Sequence, residues 1–169
     1  MQLPIPFMFG VLLGAAAWSG SAVADVLPED ADGWHSWQVD EPAASTEMCC
    51  FTWKNDTRSS QGCNLDGHSI SFSNSGGCSA PPGTIQVYVR LGAGIPEDIV
   101  VLSSNCLVST ETAVVDHGLL SAKENLRWFQ SIIEDPRLED DVREEALFAL
   151  VNSSSDAVYA YLDKLLTTR

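Results

Sequence analysis

Residues 84–102 read TIQVYVRLGAGIPEDIVVL and predict two antiparallel strands joined by a short turn. In the first half, apolar residues alternate with polar or amphipathic ones, which gives a strand with one apolar face. These apolar positions are Ile85, Val87, Val89 and Leu91. Residues 92–96 hold two glycines and a proline and turn the chain back into the apolar run 99–102. The stretch therefore predicts a β-hairpin with strands over residues 84–91 and 98–105.

Segments before this hairpin also have strand composition. Residues 50–54 and 69–73 predict two further strands, and clusters of Gly, Ser, Asn and Pro at 73–77 and 81–83 predict loops. Residues 25–44 are acidic and contain Trp34 and Trp37. We expect them to form an ordered edge segment whose tryptophans pack on a neighbouring sheet.

From Ser121 onward the apolar period becomes helical. Ser121 and Glu124 have capping-box spacing, and Pro136 should end the first helix. Its apolar stripe is Ala122, Leu126, Phe129 and Ile133. A second helix should start near Asp140 with Val142, Ala146, Ala149 and Leu150 facing inward. A third should follow Ser155 with Val158, Leu162, Leu165 and Leu166 facing inward and form an antiparallel hairpin with the second.

The predicted class is therefore α+β: a small disulfide-stapled antiparallel β module followed by a three-helix C-terminal segment. Residues 7–18 form an apolar run, and Ala22-Val23-Ala24 has the spacing at which signal peptidase cleaves. The run is too short to span a bilayer, so we predict a signal peptide cleaved after Ala24 and no stable membrane anchor afterwards. The predicted divisions are 1–24 signal peptide, 25–118 β-rich module and 119–169 helical segment.

The five cysteines all lie between residues 49 and 106, and none lies in the predicted helices. They are Cys49, Cys50, Cys63, Cys78 and Cys106. In an oxidising compartment this clustering favours structural disulfides, and because five is odd at most two bridges form within the chain. Adjacent Cys49 and Cys50 in an extended segment would point to opposite faces, so each should bond a different partner. The remaining pairing is open from sequence alone.

The net charge of −14 restricts the partners. Nucleic acid and anionic membrane surfaces would repel such a chain, whereas basic partners or divalent cations remain compatible with it. Dispersed acidic residues also serve solubility alone, which is the more common use.

No motif in the chain spells out a reaction. His35, His68 and His117, with Asp116 beside the last, are too widely spaced to predict a metal site, and Asp30, Asp32 and Gly33 form only part of a calcium loop. A C-x-x-C pair, a nucleophile elbow and a phosphate-binding glycine loop are all missing from the sequence that follows the signal peptide. We therefore assign no catalytic residue, no metal and no cofactor.

Residues 140–166 resemble a HEAT repeat. The pattern is met by Val142, Arg143, Ala146, Leu147 and Leu150, then by Leu162, Leu165 and Leu166. More broadly, the order of motifs is similar to a group of uncharacterised secreted bacterial HEAT-repeat-containing proteins. Those motifs are Gly33-Trp34, Cys49-Cys50, Gly62-Cys63-Asn64-Leu65, the strand 85–89 and Ser103-Ser104-Asn105-Cys106. The resemblance implies an envelope location, a disulfide-bearing β module and helical repeats, and it implies no catalytic residues.

The chain holds about one and a half such repeats, whereas a solenoid needs at least about three to bury a continuous core. The helices should therefore dock on the β module, or else on another protein. The predicted function is binding of another envelope or secreted protein, with Trp34, Trp37, Arg143 and Glu145 as candidate surface residues. For the tryptophans, core packing is the expected alternative. Competing hypotheses are an envelope hydrolase or thiol-redox protein with a site assembled from separated residues, and a secreted inhibitor.

Overall fold

A computed structural model describes residues 27–28, 30–42, 49–54, 57–60, 62–67, 84–152 and 155–167. The predicted signal peptide, the predicted strand 69–73, His68 and Cys78 lie outside these residues. Within them the chain forms β-strands followed by three helices, so the predicted α+β class is confirmed. The strands are β1 (Gly33–Pro42), β2 (Phe51–Lys54), β3 (Thr57–Ser60), β4 (Cys63–Asn64), β5 (Thr84–Gly92), β6 (Ile95–Ser103), β7 (Val108–Ser109) and β8 (Val115–Leu120). The helices are α1 (Ala122–Ile133), α2 (Asp140–Val151) and α3 (Asp156–Thr167).

Four strands form one sheet in the order β6-β5-β1-β8. The β5–β6 hairpin is the one predicted, and β1 pairs antiparallel with β5. However, β8 pairs parallel with β1, so the sheet is mixed rather than purely antiparallel. β1 is also a central strand, not the edge segment that the sequence predicted. The reason is that β8, which no sequence signal marked, adds to its outer side.

The turn of the hairpin has a defined conformation. Ala93 and Gly94 have φ values of 51° and 77°, and Gly92 pairs with Ile95 across them. Positive φ at both central residues is the pattern of a type I′ turn, whose twist matches that of the strands.

One face of the sheet packs against the helices and forms what we call the helix-side core. Trp37 lies at its centre, 4.8 Å from Trp128 of α1 between ring centroids, in an edge-to-face arrangement. The indole N–H of Trp37 donates to Oδ1 of the buried Asn125 at 2.9 Å. Apolar residues of β5, β6, α2 and α3 complete this core. The helices thus dock on the β module, as the small number of repeats led us to expect.

The other face carries a second, disulfide-side core. Its buried members are Trp34, Cys50, Cys63, Leu65, Val100 and Leu102. Disulfides join Cys49 to Cys106 and Cys50 to Cys63, with Cα–Cα distances of 5.4 and 5.1 Å. The expectation that Cys49 and Cys50 bond different partners is therefore confirmed.

The helices follow their sequence signals closely. Ser121 and Glu124 form the predicted capping box, and α2 buries Val142, Ala146, Ala149 and Leu150 as expected. Two details differ. Leu166 is 81% exposed. The most closely packed helix pair is α1–α2 and not the expected α2–α3 hairpin, and α3 packs mainly on α1. Tyr161 takes the inward position on α3 that Leu166 was expected to share.

Candidate functional site

The two tryptophans proposed for a binding surface are core residues. Trp34 and Trp37 are 1% and 0% exposed, so neither is available to a partner. They lie three residues apart on one strand and therefore point to opposite faces of the sheet. The surface hypothesis for them is wrong, and core packing, the expected alternative, is what the structure has.

A cleft of about 620 Å³ lies between β6 and α2. Its floor is formed by residues 99–101 of β6, and one wall is formed by Leu65 and Gly67. The other wall belongs to α2. This wall carries Asp141, Glu144, Glu145 and Phe148. Asp98 of β6 adds a further carboxylate to the lining of the cleft. Glu145, a candidate surface residue from the sequence, is thus part of the cleft.

Glu145 fixes the position of α2 relative to β6. The backbone N–H of Ile99 donates to the Glu145 carboxylate at 3.0 Å. Arg143, the other sequence candidate on α2, makes an ion pair with Asp140 one turn earlier. Of the four candidate surface residues, the structure therefore brings only Glu145 into the cleft.

The cleft is strongly acidic. Asp141 and Glu144 are exposed, and neither takes part in an ion pair within the described part of the chain. Asp98 lies 4.0 Å from Arg90, which offsets part of its charge. Asp141 stands in the first turn of α2, where a carboxylate also interacts favourably with the helix dipole. Glu144 lies beyond the first turn, so the helix dipole does little to stabilise its negative charge.

The cleft also exposes an aromatic side chain. Phe148 lies one turn after Glu144 on the same helix and is 48% exposed. A large apolar side chain at the edge of an acidic groove combines the two features that recognise an amphipathic cation: a charged wall and a surface on which an alkyl or aromatic stem packs.

The disulfide-side core holds the Leu65–Gly67 wall in place. Cys63 is bonded to Cys50 and lies two residues before Leu65, whose N–H donates to the carbonyl of Ser109 at 3.0 Å. Asp66 accepts the indole N–H of Trp34 at 2.8 Å and a backbone N–H from Glu111. The Glu111 N–H, and secondarily the Trp34 N–H, lower the pKa of Asp66 because both stabilise its ionised form. The wall is therefore fixed by covalent and polar contacts.

Two of the three histidines come together, 82 residues apart in sequence. Nδ1 of His35 lies 2.9 Å from Nε2 of His117. The carboxylate of Asp116 is engaged by the Gly118 N–H and Ser36. The structure does not gather Asp30 or Asp32 into a metal site, and no group of three or more metal-ligating side chains occurs among the residues described.

Sequence reasoning missed both the cleft and the histidine pair. Each depends on pairing between distant elements: β6 with α2 in the first case, and β1 with β8 in the second. The exposed Glu144 and Phe148 were visible as a polar and an apolar residue on one helix. Only the placement of α2 against β6 makes them the wall of a groove.

No family model, curated protein or solved structure matches this chain. The resemblance to HEAT-repeat proteins, and the hydrolase, redox and inhibitor hypotheses, stay predictions.

Proposed function

We propose that this protein is a secreted or periplasmic binding protein, and that the cleft between β6 and α2 receives a positively charged segment of another envelope or secreted protein. The observation that carries the proposal is the combination of acidic walls with the half-exposed Phe148 in one groove. A Lys or Arg side chain would place its charge near Glu144 and Asp141 and its aliphatic stem on Phe148. The proposed role has no chemistry of its own.

The disulfides support the proposed secreted or periplasmic location. Two bridges in one small module indicate an oxidising, extracellular-type environment. Each described helix is too short or too polar to cross a bilayer. Cleavage of residues 1–24 and a periplasmic location fit these observations and belong to the proposal.

The helical segment supports the HEAT resemblance as part of the same proposal. α2 and α3 have 12 residues each, and α2 buries Val142, Ala146 and Leu150, which are three of the five α2 positions that the repeat pattern names.

A photo-crosslinking side chain placed at residue 148 in cells tests the proposal. Tyr159 on α3 is 57% exposed and lies outside the cleft lining, so residue 159 is the matched control position. We expect one recurrent basic partner to be captured from position 148 and not from position 159. Capture of the same proteins from both positions, or of none from either, would contradict the proposal.

A further inference from the structure

His35 on β1 and His117 on β8 make a direct ring-to-ring contact. The ring centroids are 5.2 Å apart and the planes are inclined by 23°, while the facing nitrogens are 2.9 Å apart. The centroid separation exceeds the nitrogen separation by about one ring width, so both nitrogens lie close to the line between the ring centres. This is the geometry of an N–H···N hydrogen bond. A metal shared by the two rings would instead need lone pairs that converge on a third point.

The proton positions follow from the outer contact of His35. Its Nε2 lies 3.3 Å from the carbonyl oxygen of Asp32, and a carbonyl only accepts, so this nitrogen carries a proton. Neutral His35 therefore presents the lone pair of Nδ1 to the Nε2–H of His117. His117 can take a second proton on its own Nδ1 and still donate through Nε2, but burial and then His35 disfavour the charged ring and lower its pKa. The next proton must enter at Nδ1 of His35, where an N–H already points.

We propose that His35 and His117 form a pH-sensitive clasp between β1 and β8, and that acidification releases β8 by protonating both rings. The doubly protonated pair has two N–H groups facing each other and two positive rings in contact. It therefore changes from a hydrogen bond into a repulsive contact.

The clasp lies where the strand pairing is interrupted. The β1–β8 register shifts between Ser36 and Gln38, and Gly118 has φ of 74°, so the regular ladder breaks beside His117. The side-chain pair bridges the two strands at that break. β8 is also an edge strand of the sheet as described, with Val115 and Leu119 exposed. On the opposite sheet face, the Ser36 hydroxyl donates to the Asp116 carboxylate and also joins the two strands near this point.

Few charges face the pair. Asp116 raises the pKa of His117, but burial and then His35 lower it more, so the pKa lies below its ordinary value of 6.5. Asp116 itself lies with Ser36 and Tyr88 on the opposite sheet face. From β5 the residue paired with His35 is the uncharged Val89. On α1, the uncharged Asn125 accepts the indole N–H of Trp37 on β1. The Glu124 carboxylate of the same helix is engaged by the N–H of the capping residue Ser121.

The sign of the pH effect follows directly. A histidine whose folded pKa is depressed binds fewer protons folded than released, so its contribution to stability is present above pH 6.5 and is lost as pH falls below it. Because β8 ends at Leu120 and Ser121 caps α1, release would also loosen the start of that helix.

Hydrogen exchange measured by NMR on the intact disulfide-bonded protein, at about pH 7.5 and about pH 5, tests the clasp. After correction for intrinsic exchange, we expect protection of β8 amides to fall at the lower pH by about tenfold for each unit of pKa difference between clasped and released states. β5 and β6 amides should keep their protection. His117→Gln retains an N–H donor that does not titrate, so its β8 amides should stay protected at both pH values.

Direct titration of the two rings in the wild-type protein provides a second readout if the variant does not fold. We expect the His117 ring to titrate below its ordinary pKa of 6.5, and β8 protection to be lost over the same pH range. The proposal is overturned if both rings titrate independently with β8 protection unchanged, if β5 loses protection equally, or if His117→Gln keeps the full pH dependence.

Discussion

The Glu145 carboxylate accepts the backbone N–H of Ile99 at 3.0 Å, and this contact joins α2 to an edge strand of the described sheet. In a larger sheet a further strand would accept the Ile99 N–H, and here the Glu145 side chain accepts it. Both residues also line the groove between residues 99–101 and the acidic face of α2. The candidate binding cleft is thus a consequence of how the helix meets the sheet.

Glu145→Ala should therefore destabilise the fold. The variant leaves the Ile99 N–H without its charged acceptor, and we expect a loss of about 1–3 kcal/mol in the free energy of unfolding. Urea denaturation monitored by tryptophan fluorescence measures it. Glu145→Gln keeps an acceptor oxygen and should lose less than the alanine variant. Equal losses in both variants would show that the hydrogen bond is not what Glu145 contributes.

The disulfide pairing can be checked by single substitutions. Cys49→Ala should release a reactive thiol at Cys106, and Cys50→Ala should release one at Cys63. Alkylation without reduction followed by peptide mass spectrometry locates each label. Loss of either bridge should destabilise the protein by about 2–4 kcal/mol. A label at Cys63 in the Cys49 variant would contradict the pairing.

The buried polar pair in the helix-side core is a third point of sensitivity. Asn125→Leu leaves the Trp37 indole N–H buried without an acceptor, which should cost about 1–3 kcal/mol of unfolding free energy. Lys123→Ala, two residues earlier on an exposed position of the same helix, should change stability little. Thermal unfolding of the two variants compares them. If Asn125→Leu were neutral, the Trp37–Asn125 bond would not matter to the fold.

Local sequence signals predicted the elements whose patterns are complete within a few residues. The β5–β6 hairpin, the Ser121 capping box and the inward face of α2 all follow from neighbouring residues that act on one another. The stripe predicted for α1 was correct at Leu126 and Phe129, yet it omitted Trp128, which is fully buried. The two aromatic residues in sequence, Trp128 and Phe129, widen the buried face beyond one apolar stripe.

Features that depend on pairing between distant strands could not be predicted from local sequence patterns. β8 has the sequence VDHGLL, whose apolar and polar residues do not alternate. Its pairing with β1 also shifts register near Gly118. Missing β8 made β1 look like an edge, and it also hid the contact between His35 and His117. Trp34 and Trp37 were expected to pack in one direction, whereas strand geometry sends them to different cores.

Affinity for the partner captured at position 148 is the measurement that most directly tests whether the acidic cleft binds it. Glu144→Lys reverses a charge on the cleft wall, and Asp163→Lys makes the same change on the exposed face of α3. We expect Glu144→Lys to weaken binding by about tenfold or more and Asp163→Lys to have a much smaller effect, and we expect added salt to weaken wild-type binding. Equal effects of the two reversals, or binding that is insensitive to both, would contradict a partner held by the acidic cleft.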